Sequence, residues 1–173
     1  MSTNHPSGES IDTRPLVPML TTLLTELTDG PPPEAAYILN RDDIGLLRSL
    51  DKLTASDASV GVHGGATIAA HVDHLRYGLS LMNRWSAGEQ PFEAADWAAS
   101  WRTTTVSDAD WQRSKLALRA EVHRWLEALR TPRDATPTEL TGMFASVAHL
   151  AYHVGAIRQI NRLARGPVEQ PRA

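Results

Sequence analysis

Apolar residues along the chain gather into four stretches with a three- and four-residue period, and each such stretch predicts an amphipathic helix. The first carries Leu16, Leu20, Leu23, Leu24 and Leu27. Thr13 is its candidate cap, with Pro15 in the first turn and Pro18 still near enough to the start to be tolerated. Gly30 and Pro31-Pro32-Pro33 stop it. The second runs from Thr67 to Ser86, with Thr67 as cap and His71, His74, Leu75, Leu79, Met82 and Trp85 along one face. The third opens at Ser107, which forms a capping-box pattern with Asp110 in place of the usual Glu or Gln. Trp111, Leu116, Leu118, Val122, Trp125, Leu126 and Leu129 supply its apolar stripe, and Thr131-Pro132 ends it. The fourth begins near Thr138 and is expected to reach Arg165, ahead of Gly166-Pro167.

Two connections are long. Pro31 to Ala66 is expected to hold one short helix, Asp43 to Leu53, with Leu46, Leu47 and Leu50 facing inward. His63 falls in a glycine-rich turn there. Ala87 to Val106 carries Trp97 and Trp101, four residues apart, suited to a single helical turn that packs over the bundle or walls a pocket mouth. There is no strand pattern and no internal repeat. The elements therefore read as an all-α chain, a four-helix bundle with long connections between helices one and two and between two and three. The short link after Thr131 predicts helices three and four to be antiparallel neighbours. The connection before helix three is long enough for helices two and three to run parallel, giving an up-down-down-up order. Residues 1–12 read as a polar lead, 13–166 as the bundle and 167–173 as a polar tail.

Composition changes this picture only at its edges. The 173 residues suit one domain with a real core. A net charge of −3 with scattered basic residues argues against nucleic acid as a partner. The chain has no cysteine, which removes disulfides, thiolate ligands and a cysteine nucleophile, and fits a cytoplasmic location. The N-terminus has neither a basic nor an apolar leader region. No apolar run approaches ~18 residues, so no membrane span is expected.

The candidate chemistry lies in the fourth helix. His149 and His153 are four residues apart, so on a helix they stack on one face and can hold two positions of one metal ion. Packing without metal is the alternative for such a pair. His74 or His71 of helix two can supply a third imidazole across the core. Three neutral imidazoles leave coordination positions open, as at a catalytic or ligand-binding metal, and Zn²⁺, Ni²⁺ or Fe²⁺ would all accept them. Other sites lack essential parts. Leu150 stands where a zincin has its general-base Glu. The paired Glu-x-x-His motifs of carboxylate-bridged di-iron bundles are missing. So are phosphate-loop and dinucleotide fingerprints.

Thr67-x6-His74-Leu75, followed downstream by His149-x3-His153-x-Gly155-x2-Arg158-Gln159, resembles the DinB-like (DinB/YfiT) superfamily. The resemblance covers helices two to four. It implies a four-helix bundle of up-down-down-up topology and a divalent metal held by one helix-two histidine and the helix-four pair. Matched residue by residue, the ligands are His74, His149 and His153, with His71 the alternative on helix two. It also implies a metal-dependent transferase that uses a low-molecular-weight thiol, such as bacillithiol or mycothiol, on a small-molecule substrate. A homodimer through exposed apolar faces is compatible with it. The alternative function is a non-enzymatic metal- or small-ligand-binding bundle, since neither Arg158 nor Tyr152 clearly shares the histidine face.

Overall fold

The structure is a computed structural model that describes residues 10–168. The first nine residues, including His5, and the last five lie outside the described part, so most of the expected polar lead and tail is not placed. The chain is mostly helical, with one small antiparallel strand pair. In order it forms β1 (Ile11–Asp12), α1 (Val17–Asp29), α2 (Gly45–Asp51), α3 (Ala55–Ala58), α4 (Ile68–Ser86), α5 (Asp108–Arg130), β2 (Asp134–Ala135) and α6 (Pro137–Ile160).

The helices whose caps are local in sequence start where expected. Thr67 accepts from the Ala70 amide at α4, and Ser107 accepts from the Asp110 amide at α5. One start and one end of the long helices differ. Thr13 does not cap α1. Its hydroxyl donates to the Arg133 carbonyl at 2.8 Å and accepts from the Arg133 amide, which ties the start of the chain to the α5–α6 link. α1 begins four residues later, at Val17. The strand pair lies beside this tie, with Ile11 opposite Ala135 and Asp12 opposite Asp134. It was not expected, because two-residue strands are too short to show an alternating pattern. α6 begins at Pro137, near Thr138 as expected, and is capped by Thr136 in a reciprocal capping box with Glu139. It stops at Ile160, because Asn161 takes an extended conformation and its side chain caps a short 3-10 turn, Arg162–Ala164.

Small elements fill the long connections. Asp43, expected inside α2, instead precedes it and accepts from the Gly45 amide. Gly30 and Gly45 both have positive φ, and a Cβ on either would strike the other strand of backbone where α1 and α2 cross. α3 was not expected and is held by a capping box between Thr54 and Asp57.

The long helices pack through buried leucines, Trp111 and Trp125. The backbones that lie side by side are α1 with α5 and α6, and α4 with α5 and α6. α5 and α6 thus face each other across the core instead of being neighbours as expected, and Trp125 Nε1 bridges that diagonal to Ser146 Oγ at 2.9 Å. A link as short as Thr131–Thr136 can span the diagonal because it only turns the chain at one end.

Among the described residues, α6, with 24 residues, is the one helix long and apolar enough by length and composition alone to cross a membrane. Its inner face, with Leu140, Met143, Val147, Leu150, Val154 and Ile157, is committed to the core. Its outer face adds Ala145, Ala148 and Gly155, which raise the apolar content without burial.

Candidate metal centre

α4 and α6 bring four histidines together. His71 and His74 are one turn apart on α4, and His149 and His153 one turn apart on α6. His71 meets His153, His74 meets His149, and toward the other end Gly142 lies under Trp85. Sequence numbers rise along one helix as they fall along the other, so the two run antiparallel. His71, His74 and His153 are buried and His149 is half-buried.

His149 Nε2 lies 3.1 Å from His74 Nε2 and 3.0 Å from His153 Nε2. The ligand atoms of His74, His149 and His153 all fall within 4.8 Å of one another, a cluster that could hold a metal ion. An imidazole nitrogen carries either one proton or one lone pair, so His149 Nε2 cannot make two good hydrogen bonds. One cation shared by the three nitrogens satisfies all of them. Two nitrogens bound tetrahedrally at ~2.0–2.1 Å from zinc would be ~3.3 Å apart, close to the observed spacing. The donor set therefore fits a divalent metal.

The outer nitrogens have partners that set the rings. His74 Nδ1 is 2.8 Å from Ser100 Oγ, and that hydroxyl donates its one proton to the Trp97 carbonyl at 2.7 Å. Ser100 must then accept from His74 Nδ1–H, which leaves the lone pair on His74 Nε2. His153 Nδ1 is 2.8 Å from His71 Nδ1. A proton on His153 Nδ1, donated to His71, leaves the same lone pair on His153 Nε2. His74 is thus the helix-two member of the cluster, and His71 stands behind His153. The open choice between them is decided by which ring points at His149.

Burial lowers the pKa of all four imidazoles. His153 falls to about 3 and His74 to about 4, each first through desolvation and then through the neighbouring imidazoles. His71 and His149 are lowered by desolvation. All four are neutral near pH 7, the form that binds metal.

The second long connection forms the roof. Ala99–Trp101 is a 3-10 turn that takes in Trp101 but not Trp97, and the Trp101 ring stacks on His74 at 4.2 Å between centroids. Asp73 on α4 accepts from the Thr103 hydroxyl at 2.8 Å and so pins this connection down. Trp97 packs edge-on against Tyr77. Ser100 had no signal in the sequence, because its role depends on a loop that returns to α4 after 26 residues.

The remaining candidates lie elsewhere. His63 sits exposed in its turn at positive φ, and His123 is exposed on α5. Arg158 pairs with buried Asp43 at 2.8 Å, and Tyr152 is largely exposed with only its ring edge toward His153. Comparison of the chain with family models, curated proteins and solved structures gives no match.

Proposed function

We propose that the chain is a DinB-like, metal-binding four-helix bundle in which His74, His149 and His153 hold one divalent cation, Zn²⁺, Ni²⁺ or Fe²⁺. The observation that carries this reading is the convergence of three Nε2 atoms with too few protons to satisfy one another. The helix directions support the up-down-down-up order. α4 opposes α6. Thr103, just before α5, bonds Asp73 in the first turns of α4, so these two helices start at one end. Thr13, before α1, bonds Arg133, before α6, so those two start together at the other.

We further propose that the protein is a transferase acting with a low-molecular-weight thiol. A divalent cation at the three histidines would supply Lewis acidity, lowering the pKa of a thiol brought to it. The thiol proton is released to solvent. Its sulfur forms a bond to an electrophilic carbon of the second substrate as that carbon's bond to the leaving group breaks. The chain's own residues orient the imidazoles through Ser100 and His71 and cover the His74 ring with Trp101. The lack of cysteine is compatible, since the thiol comes with the cosubstrate.

One observation favours a second reading, a non-enzymatic metal- or ligand-binding bundle. Ser100 and His71, the polar groups beside the cluster, are each already engaged by a histidine Nδ1, so neither is a free acid or base. Elemental analysis of untagged protein decides the metal: about one equivalent in the wild type and almost none in His153→Ala. Thiol conjugation to a panel of electrophiles then separates the readings. Turnover that needs both metal and His153 supports the transferase, and metal binding without any acceleration supports the binding bundle.

A further inference from the structure

A groove of about 360 Å³ runs along the α4–α6 seam, and His149 forms one end of it. Its walls are Leu79 and Met82 of α4, Ala145 and Leu150 of α6, and Phe92 and Trp97 from the second long connection. No charged residue lines it among the described residues. Ser146 also reaches the wall, but its hydroxyl donates to the Met143 carbonyl and accepts from Trp125 Nε1. Apart from the Trp97 indole N–H, the His149 imidazole is therefore the side-chain polar group of the wall left to meet a ligand.

Two features keep the groove open. Gly78 has no side chain where a Cβ would lie 3.6 Å from both His149 Cε1 and Trp97 Cζ3. At the mouth, Phe92 and Trp97 keep 41% and 40% of their surface in water. Large aromatic surface exposed around a concave apolar wall is covered favourably by another apolar group. A charged or polyhydroxylated group placed there would lose its water without gaining partners.

We infer that this groove binds an uncharged alkyl or aryl group of the substrate, with the substrate's polar end directed at His149. The inference builds on the proposed metal centre, because His149 belongs to both, and it names the second substrate as an apolar electrophile. It also assigns the hydrophilic thiol to a position outside the groove.

Binding of a neutral apolar fluorophore, N-phenyl-1-naphthylamine, to the full chain tests this, with and without added Zn²⁺. The wild type binds the probe in both conditions, and 1-hexanethiol displaces it where 2-mercaptoethanesulfonate does not. Ala145→Trp fills the groove from an exposed wall position, and Ala145→Glu adds a charge at the same place without enlarging the core. Each weakens probe binding by roughly tenfold or more, the scale set by small changes in an apolar pocket. Both keep wild-type metal content and a wild-type circular dichroism spectrum. His153→Ala loses metal and still binds the probe. The inference is overturned if the probe does not bind, if both Ala145 variants bind it as the wild type does, or if the sulfonate competes as well as hexanethiol. Zinc failing to bind while the Ala145 effects persist would remove the metal reading and leave the groove standing.

Discussion

Two of the buried polar centres among the described residues solve opposite problems. At the end of α1, the Glu26 carboxylate is completely buried. It accepts from the backbone amides of Tyr37, Ile38 and Leu39 at 2.7–3.0 Å. Every donor there has an acceptor, and the first long connection is held against α1 as a result. Between α4 and α6, the histidine nitrogens converge on one another and cannot all be satisfied by their own protons. Both centres are polar, buried and built from helix residues meeting a distant segment. The lesson is that burial of polar groups does not by itself mark a binding site. What distinguishes the α4–α6 centre is the mismatch between the number of converging acceptors and the protons available to them.

Removing one member of each centre should affect the protein in opposite ways. His153→Ala should abolish stoichiometric metal, as read by elemental analysis, and leave the circular dichroism spectrum helical. Glu26→Ala should do the reverse, keeping metal at one equivalent while costing about 2–4 kcal/mol in denaturant unfolding, since buried amides lose their acceptor. If Glu26→Ala released metal, the two centres would not be separable. A smaller effect is expected behind the ligands. Ser100→Ala and His71→Ala should each weaken metal affinity by roughly 10–100-fold in a chelator competition, the usual cost of losing a group that orients a ligand. Equal affinity in both variants and the wild type would mean that the rings are held by packing alone.

The smallest and most diagnostic effect is the pH dependence of the metal-free protein. The folded-state pKa values of His74 and His153 are lowered, to about 4 and about 3, and those of His71 and His149 are also lowered. Groups of this kind contribute stability that is present above their unfolded pKa of ~6.5. It is lost as pH falls from there toward the folded values, because the unfolded chain takes up the protons first. Thermal melts should therefore show Tm falling between about pH 6.5 and pH 4. Replacing His71 by Asn should flatten that fall. At pH 7, saturating zinc should raise Tm in the wild type and not in His153→Ala.

Much of this was legible along the chain. The four long helices, the caps at Thr67 and Ser107, and the stacking of His149 over His153 depend on residues three or four apart, and helical geometry carries that information directly. The convergence of His74 with that pair was reached through motif order, and the structure brings the three together. His71 shows where local pattern stops. Three residues of helix turn through all but about 60° of a circle, so His71 and His74 share a face and periodicity cannot separate them. Only the rotation and axial offset of α4 against α6 aims His74 at His149 and sets His71 behind His153.

By itself, then, the sequence determined the helices, their polar and apolar faces and the type of chemistry that the histidines offer, because each rests on short-range spacing. Tertiary structure alone decided four other things. It set α5 and α6 on a diagonal, tied Thr13 to Arg133, placed Ser100 against His74 and left an apolar groove ending at His149. Each of these joins segments far apart in the chain, where the partner is chosen by how whole helices pack and by where a long connection returns.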